Sequence, residues 1–203
     1  VVTDDGRQYT GLVVDAAGRR SALPDLLESA GATRPVEIKD DCGLIYYGRH
    51  FAFGDSAPAT LGPLLQQYET ISILTLPCDQ GTVGVGLVAS ARDTAMRAFA
   101  KEDVWSRVVA AHPLAAHWAE GDPITPVQVM AGIEDRHRTF LVDGRPVATG
   151  VLAVGDSWAC TNPTVGRGVT IGLLHAIALR DLLREIPVSD PRAVAVRWQE
   201  VTD

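Results

Sequence analysis

The sequence is poor in cysteine, has no long apolar run and shows no histidine cluster, and each absence excludes a class of protein. Cys42, Cys78 and Cys160 are odd in number and widely separated, which argues against a disulfide framework or a cysteine-ligated zinc site. His112 and His117 do not have the spacing of metal ligands. No apolar stretch approaches the length of a membrane span, and a net charge of −7 argues against nucleic acid or anionic membrane as partners. We therefore expect a cytoplasmic protein with no bound metal.

The chain also lacks the Gly-x-Gly-x-x-Gly motif that holds a dinucleotide pyrophosphate at a helix N-terminus. The most similar stretch, residues 81–86, alternates glycine with threonine and valine, and no helical pattern follows it at once. This alternation predicts a hairpin strand instead. Residues 1–10 predict another hairpin, with Asp5-Gly6 in its turn. They begin without Met or a leader, so we expect the chain to be a fragment, a processed piece or the ordered part of something longer.

The most informative stretch that is present spans residues 151–175. Four apolar residues, 151–154, predict a buried strand that runs into Gly155-Asp156. A loop follows, and apolar spacing then predicts a helix over 168–185. This order places backbone N–H groups and the positive end of a helix dipole at the carboxyl end of a strand. Such a place suits an anionic or electron-rich ligand, and Asp156 would accept hydrogen bonds from ligand hydroxyl groups.

A second stretch of the same kind spans residues 11–24. Leu12 to Val14 predict a short strand, and residues 15–21 then read Asp-Ala-Ala-Gly-Arg-Arg-Ser. Arg19 and Ser21 are donors suited to phosphate groups. The alternative is a strand that ends in an acidic turn, with its arginines in solvent.

Together the two stretches resemble motifs of the flavin-dependent monooxygenases and their relatives. The Gly155-Asp156 pair and the Pro163-x-x-Gly-x-Gly loop resemble the second FAD-binding motif, and residues 15–21 resemble the Asp-Gly motif that precedes it in that family. The resemblance implies an α/β fold, α+β overall, with part of a Rossmann-like FAD/NAD(P)-binding domain and an inserted mixed or antiparallel substrate sheet. It implies these cofactor-binding residues: Asp15, Gly18, Arg19, Gly155, Asp156, Pro163, Gly166, Arg167, Gly168 and Val169.

In the family, the residue at the position of Asp156 binds the ribityl chain of FAD, and the following loop faces the pyrimidine side of the flavin ring. The resemblance therefore implies an FAD-dependent oxidoreductase, first of all a monooxygenase that uses NAD(P)H and dioxygen on a small organic substrate. Geranylgeranyl-reductase-like activity and halogenation are the alternatives within the family. A non-catalytic piece that cannot hold FAD alone is the alternative of another class, because the first motif would lie in a missing N-terminal part of the same protein. No catalytic residue is identified.

The segment between the two motifs has a different character and predicts the substrate domain. Strand formers dominate residues 36–53, two further strands are predicted over 68–77 and 82–89, a helix over 94–111 and a strand over 124–130. The predicted domain boundaries are 1–35 and 136–188 for the FAD-binding part, 36–135 for the substrate part and 189–203 for the start of a C-terminal helix.

An aromatic cluster in this segment supplies candidates for a substrate pocket, namely Tyr46, Tyr47, Arg49 and His50. The alternative is that these residues fill a core or a sheet face. In a strand, Tyr46 and His50 would share one face and Tyr47 and Arg49 the other, so Arg49 and His50 should not both be ligands.

Two residues around the second motif have two interpretations each, and a third has one. Trp158 packs either against the flavin or substrate or between domains. Cys160 is either redox-active or a buried thiol without a role. His175, in the predicted helix, is expected to be a structural histidine with its hydrogen bonds satisfied.

Overall fold

The structure is a computed structural model that describes all residues, 1–203. It divides into two compact units, which are considered separately: residues 1–40 with 134–203, and residues 41–133. The strands are β1 (Val13–Asp15), β2 (Val36–Asp41), β3 (Leu44–Ala52), β4 (Leu65–Gln67), β5 (Ile71–Pro77), β6 (Thr82–Ser90), β7 (Asp122–Pro123), β8 (Gln128–Met130), β9 (Glu134–Thr139), β10 (Leu141–Val142), β11 (Arg145–Pro146), β12 (Val151–Ala153) and β13 (Ala159–Cys160). The α-helices are α1 (Leu23–Ser29), α2 (Glu102–Ala110), α3 (Pro113–Ala116), α4 (Gly168–Glu185) and α5 (Pro191–Thr202).

The first unit joins the two ends of the chain through a parallel strand pair. β1 lies beside β12, with Val13 opposite Val151 and Asp15 opposite Ala153. A three-stranded sheet in the order β13-β9-β2 and the small hairpin of β10 and β11 complete the strands of this unit. The mixture of parallel and antiparallel pairs with helices confirms the predicted α/β class.

Two helices and strand β12 enclose the core of the first unit. Its buried members are Leu152, Leu182, Val194 and Trp198. The Trp198 indole N–H donates to the carbonyl of Ala153 at 3.0 Å, so this large ring is buried without an unsatisfied donor. Each fully buried side chain of this size contributes about 1.5–3 kcal/mol through the area removed from water.

Helix α4 has the bounds predicted from the sequence, but it buries a different face. It ends where Ile186 turns extended before Pro187, as expected for a residue that precedes proline. His175 and Leu182 point into the core, whereas Leu174 and Ile177, expected on the apolar face, are 59% and 49% exposed. The helix is apolar nearly all round, so periodicity alone did not identify its buried side. Neither α4 nor any other helix of the structure has the length and apolar character needed to cross a membrane.

The second unit is an antiparallel sheet that packs against α2 and α3. Its strand order is β4-β5-β6-β3-β7, and β8 also pairs with β3. One face of the sheet forms the core, in which Trp105 is fully buried and its indole N–H donates to the carbonyl of Tyr47 at 2.8 Å. Where β6 begins, Gly81 has φ +66°, and an added Cβ would lie 1.9 Å from the carbonyl oxygen of Gly54. Only glycine fits there without a shift of the backbone.

Three predicted elements differ from the structure. The predicted helix over 94–111 is split into a 3₁₀ segment, Ala95–Ala100, and α2, because Lys101 has an extended backbone. Of the predicted strand over 124–130, only the last three residues are formed, as β8, and β7 lies just before the predicted range. The hairpin predicted at the N-terminus is reduced to the single bridge between Val2 and Gln8 around its turn.

Candidate functional site

The parallel pairing of β1 with β12 brings the two sequence motifs to one edge. Both strands are short and rich in valine, and each is followed by a 3₁₀ turn, Gly18–Arg20 after β1 and Gly155–Ser157 after β12. The two turns are tied together by the Ser157 hydroxyl, which accepts a 2.8 Å hydrogen bond from the backbone N–H of Gly18. Two stretches almost 140 residues apart in sequence therefore form one site.

In the first motif, Asp15 is engaged by its own loop. Its carboxylate accepts hydrogen bonds from the backbone N–H of Ala17, at 3.0 Å, and from the hydroxyl of the buried Ser21. The Ser21 oxygen in turn accepts from the backbone N–H of Leu23 at the start of α1. Asp15 thus orders the loop and the entry into α1, and both of its carboxylate oxygens already have partners in the protein.

Arg19 and Gly18 have backbone roles in the same loop. Gly18 has φ +76°, a conformation that L-residues rarely adopt. The Arg19 carbonyl accepts a 2.9 Å hydrogen bond from the guanidinium of Arg136. The first motif is therefore held in one conformation by contacts within the unit.

In the second motif, Gly155 fastens the turn to helix α4. Its φ is +56°, and its backbone N–H donates to Nδ1 of His175 at 3.0 Å. An added Cβ at Gly155 would lie 3.7 Å from the Cα of Gly172, so the turn and the helix backbone are close. Burial lowers the pKa of His175 below its ordinary value of 6.5, and the neutral ring keeps Nδ1 free to accept. The prediction of a structural histidine is confirmed by this bond.

Asp156 differs from Asp15 because its carboxylate makes no hydrogen bond or ion pair with the protein. The side chain is half-buried, and Oδ1 would lie 3.4 Å from a Cβ added at Gly168. Partial burial of a carboxylate that has no hydrogen-bond partner costs free energy, unless a donor from outside the protein bonds to it. Asp156 is thus the acidic side chain of the two motifs that remains available to a ligand.

The loop from Pro163 to Gly168 leads directly into the N-terminus of α4. The Asn162 side chain accepts from the backbone N–H of Thr164, and Gly166 has φ +64°, which together turn the chain toward the helix. The first bond within the helix runs from the N–H of Ile171 to the carbonyl of Arg167. The N–H groups of the first three helical residues therefore have no backbone acceptor and give this end of α4 a partial positive charge.

Two exposed side chains border this helix start. The guanidinium of Arg167 makes no hydrogen bond or ion pair, and Val169 is 78% exposed. The structure therefore brings together a free carboxylate at Asp156, free N–H donors at the start of α4 and a free cation at Arg167. Such a set can bind a ligand that offers both hydroxyl donors and electron-rich acceptors.

A ladder of four aromatic rings behind the turn was not predicted. The rings of His137, Trp158, His175 and Trp198 meet edge to face, with successive centroid distances of 4.6, 5.0 and 5.4 Å. Trp158 therefore packs between two histidines of its own unit. The packing of α4 and α5 against β9 and the turn brings the four rings together, so the sequence held no signal for the ladder.

A buried arginine supports the turn from the sheet side. Arg138, 3% exposed, donates to Oε1 of Glu37 and to the carbonyl of Ser157, both at 2.7 Å. Burial raises the pKa of Glu37, but hydrogen bonds and charge from Arg138 and Lys39 outweigh it and hold the pKa below its ordinary value. The Arg138 guanidinium thus fixes the position of the residue that follows Asp156.

Cys160 lies next to this support, on β13. The thiol is buried, and burial raises its pKa above the ordinary value, which keeps it protonated and unreactive. A cavity of about 390 Å³ opens beside it, lined among others by Arg136, His137, Trp158 and Ile171.

The four candidates for a substrate pocket lie on β3 in the second unit, on both faces of the sheet. Tyr47 is 2% exposed and packs edge to face against Phe99 in the core, so it has no free surface for a ligand. Arg49 is held on the same face by the carbonyl of Thr125 and by the carboxylate of Glu102.

Tyr46 and His50 occupy the opposite face. Tyr46 is also buried, in a small cluster with Val88 and Ile133, whereas the His50 ring is half-buried and its nitrogens form no hydrogen bond with the protein. Of the four, His50 alone offers a free polar group.

Several known proteins are similar to this chain in sequence or in fold. No model of a known protein family matches the sequence. Protein Rv3254 of Mycobacterium tuberculosis (strain ATCC 25618 / H37Rv) is 31% identical over 181 residues, which cover 85% of this chain and 37% of that protein. The flavin-dependent halogenase BrvH of Brevundimonas sp. BAL3 superposes with a TM-score of 0.62 at 19% identity, over 98% of this chain and 36% of BrvH. Klebsiella pneumoniae HpxO, solved with FAD and uric acid, gives a TM-score of 0.63 at 15% identity, over 100% of this chain and 54% of HpxO.

The chain has the fold of the flavin-dependent halogenase BrvH and of HpxO. The fold that the predicted resemblance implies is thereby confirmed. The chain spans between about a third and just over half of the length of the proteins it matches.

Proposed function

We propose that this chain is the middle and later part of an FAD-dependent oxidoreductase and that it holds the ribityl and ring end of the cofactor. The observation that supports this most directly is the free carboxylate of Asp156 beside the free N–H groups at the start of α4. A ribityl chain offers hydroxyl donors to the carboxylate, and the pyrimidine edge of the flavin offers oxygen and nitrogen acceptors to the N–H groups. The residues present therefore fit the group.

The chain's own residues bind and orient the cofactor under this proposal. Asp156 fixes the hydroxyl groups of the ribityl chain, and Gly168 leaves room for it beside the helix. The positive end of α4 and the guanidinium of Arg167 favour negative charge at the nearby ring edge. When bound, the flavin supplies the redox chemistry, and the protein supplies position and electrostatics.

The first motif has a supporting role in this arrangement. Because both Asp15 oxygens are used within the loop, the motif would present its backbone and the arginines at positions 19 and 20 rather than a free carboxylate. We propose that the ADP half of the cofactor is held by a part of the same protein outside this chain.

We propose monooxygenation of a small organic substrate, with NAD(P)H as the electron donor, as the activity of the whole protein, in the cytoplasm. Halogenation is the second candidate, since BrvH is a flavin-dependent halogenase and shares the fold. Oxidation of NAD(P)H by the longer protein, with products analysed in the presence and absence of bromide, separates the two. A brominated product would favour halogenation, and a product with added oxygen would favour monooxygenation.

A competition experiment tests the cofactor site itself. The chain is titrated with FAD and followed by flavin fluorescence, and riboflavin and ADP are then added separately as competitors. We expect riboflavin to displace FAD and ADP to leave it bound, because the site is proposed to contact only the ribityl and ring end. Displacement by ADP alone, or no binding of either flavin, would overturn the proposal.

A further inference from the structure

His175 makes the only hydrogen bond between helix α4 and the turn that carries Asp156. Its Nδ1 accepts the backbone N–H of Gly155 at 3.0 Å, and no other group of residues 155–157 bonds to the helix. The far end of the turn is held from the sheet side, where Ser157 makes two further hydrogen bonds. Loss of the His175 bond would therefore free Gly155 and Asp156, while Ser157 stays in place.

The turn lies along one face of the first two turns of α4. Gly168, Gly172 and His175 share that face because they are four and three residues apart. Oδ1 of Asp156 lies 3.4 Å from a Cβ added at Gly168, and a Cβ added at Gly155 would lie 3.7 Å from the Cα of Gly172. The carboxylate proposed to bind the ribityl hydroxyl groups is thus placed against the helix start by the residue before it, which His175 holds.

The ring of His175 is enclosed and has no charged partner. It is 7% exposed and lies edge to face between Trp158 and Trp198. Burial is the sole cause of its lowered pKa, so the titratable groups on the elements packed around it contribute nothing to that shift. These groups are Asp156 on the turn, His137 beyond Trp158, Arg180, Asp181, Arg184 and Glu185 on α4, and Arg192, Arg197, Glu200 and Asp203 on or next to α5.

A proton on the ring of His175 abolishes the hydrogen-bond acceptor. A neutral imidazole has one N–H group and one free nitrogen, whereas an imidazolium has an N–H group at both positions. Because Nδ1 accepts from Gly155, the neutral ring carries its proton on Nε2, and a second proton goes to Nδ1. Two N–H donors would then face each other at 3.0 Å, so the Gly155 end of the turn has to move.

We propose that neutral His175 is a positioning residue of the flavin site and that protonation of its ring releases the flavin. The neutral ring holds Gly155, and Gly155 holds the Asp156 carboxylate where the ribityl hydroxyl groups bind. His175 acts through the turn and touches neither flavin nor substrate. This inference rests on the proposed function and adds control of the same site by pH. Because the flavin binds the neutral form, bound flavin must in turn make the ring harder to protonate.

The first experiment measures the affinity of the 203-residue chain for riboflavin, by flavin fluorescence, between about pH 8 and about pH 5. Riboflavin is the probe because it has no phosphate group and keeps its charge over this range. We expect the affinity to be constant at the upper end and to fall, by up to about tenfold per pH unit, below the pKa of His175. Near-UV circular dichroism at each pH checks that the chain is still folded where the affinity falls.

Two substitutions separate the acceptor from the titration. His175→Asn keeps an oxygen acceptor near the position of Nδ1 but does not titrate, so riboflavin should bind within about threefold of the parent at pH 8, without pH dependence. His175→Phe keeps a ring between the two tryptophans but has no acceptor, so binding should be about tenfold weaker or more at every pH. The matched control is His112→Asn, since the ring of His112 donates to the carbonyl of Val108 in the second unit. This control should keep the pH profile of the parent.

An NMR titration of His175 gives a readout that needs no substitution. The signal of the ring Cε1–H group, followed with pH, gives the pKa of His175 without flavin and with saturating riboflavin. We expect riboflavin to lower this pKa by about one unit or more, whereas a histidine with a merely structural role would titrate alike in both samples.

Three outcomes would overturn this inference alone. They are a riboflavin affinity that stays constant down to pH 5, the same pKa of His175 with and without riboflavin, and the pH profile of the parent in His175→Asn. In each of these cases riboflavin still binds at pH 8, so the proposed function stands. No binding of riboflavin to the parent chain at any pH would overturn the proposed function and this inference with it.

Discussion

Asp15 and Asp156 are the same residue type at the ends of two neighbouring strands, and we expect their removal to have opposite consequences. Asp15→Ala deletes the acceptors for the Ala17 N–H and for the hydroxyl of the buried Ser21. At about 0.5–1.5 kcal/mol for each hydrogen bond, the free energy of unfolding should fall by about 2 kcal/mol. Asp156→Ala removes no bond within the protein, so its stability should stay within about 0.5 kcal/mol of the parent chain.

The affinity for FAD should depend more on Asp156 than on Asp15. A hydrogen bond to a charged group contributes about 1.5–3 kcal/mol, and 1.4 kcal/mol corresponds to a factor of ten. Loss of one such bond between the Asp156 carboxylate and the ribityl chain should therefore weaken FAD about 10- to 150-fold. Asp15→Ala, measured where the variant is still folded, should weaken FAD far less than Asp156→Ala.

Two measurements on the same samples, of stability and of FAD affinity, test these expectations. Urea unfolding followed by tryptophan fluorescence gives the change in stability, and a fluorescence titration with FAD gives the change in affinity. The reasoning is refuted if Asp156→Ala binds FAD within twofold of the parent chain. It is equally refuted if Asp156→Ala destabilises the fold as much as Asp15→Ala, since the carboxylate would then have a structural role.

Three further predictions concern stability. Because burial lowers the pKa of His175, the unfolded chain protonates this residue more readily than the folded chain does. The free energy of unfolding should therefore fall as the pH drops below about 6.5. In His175→Asn, melting temperatures measured across this pH range should lose this part of the pH dependence. Glu37→Gln leaves the buried guanidinium of Arg138 without its anion and should lower the free energy of unfolding at pH 7 by about 3 kcal/mol. Because the pKa of Glu37 is held below its ordinary value, this difference should shrink as the pH falls below 4.5, where the unfolded parent chain takes up the proton first. Gly81→Ala, with its Cβ against the Gly54 carbonyl, should cost more than about 2 kcal/mol in urea unfolding.

Matched variants control two of these measurements. Gly132 also has a positive φ but nothing within 4 Å of an added Cβ, so Gly132→Ala isolates the backbone cost and should be milder than Gly81→Ala. Asp103 forms an exposed pair with Arg107, and Asp103→Asn should change stability by less than about 1 kcal/mol. An unchanged pH profile in His175→Asn, or a Glu37→Gln variant as stable as the parent, would contradict the corresponding prediction.

The sequence predicted best the elements whose limits depend on local chemistry. Helix α4 begins after a glycine loop and ends before Pro187, and strands β5 and β6 flank a turn at residues 78–81, so neighbours in sequence set each limit. The helix predicted over 94–111 failed at Lys101, because one extended residue, which no breaker signals, divides it. Periodicity cannot detect a single change of ψ within an otherwise helical pattern.

The sequence predicted which residues form the candidate site, but not which of them are free to bind a ligand. Asp15 and Asp156 look equivalent in sequence, and only the contacts of Ala17 and Ser21 show that one carboxylate is engaged and the other free. The meeting of three glycines in the antiparallel sheet has the same origin. Gly84 and Gly86 were visible as an alternating pattern, but their meeting with Gly48 depends on the register of two strands, which the sequence does not state.

The pairing of β1 with β12 affects the order in which the parts of the chain can fold during synthesis. Residues 41–133 are continuous in sequence and can begin to fold while the rest of the chain is still being synthesised. The two turns of the candidate site cannot, because Val13 pairs with Val151, and Gly155 bonds to His175, only after these later residues have been synthesised. Closing so long a loop is slow, so the N-terminal strand remains exposed on the nascent chain until the last third is released. Premature termination after residue 133 but before α4 would therefore leave a folded sheet without the candidate site.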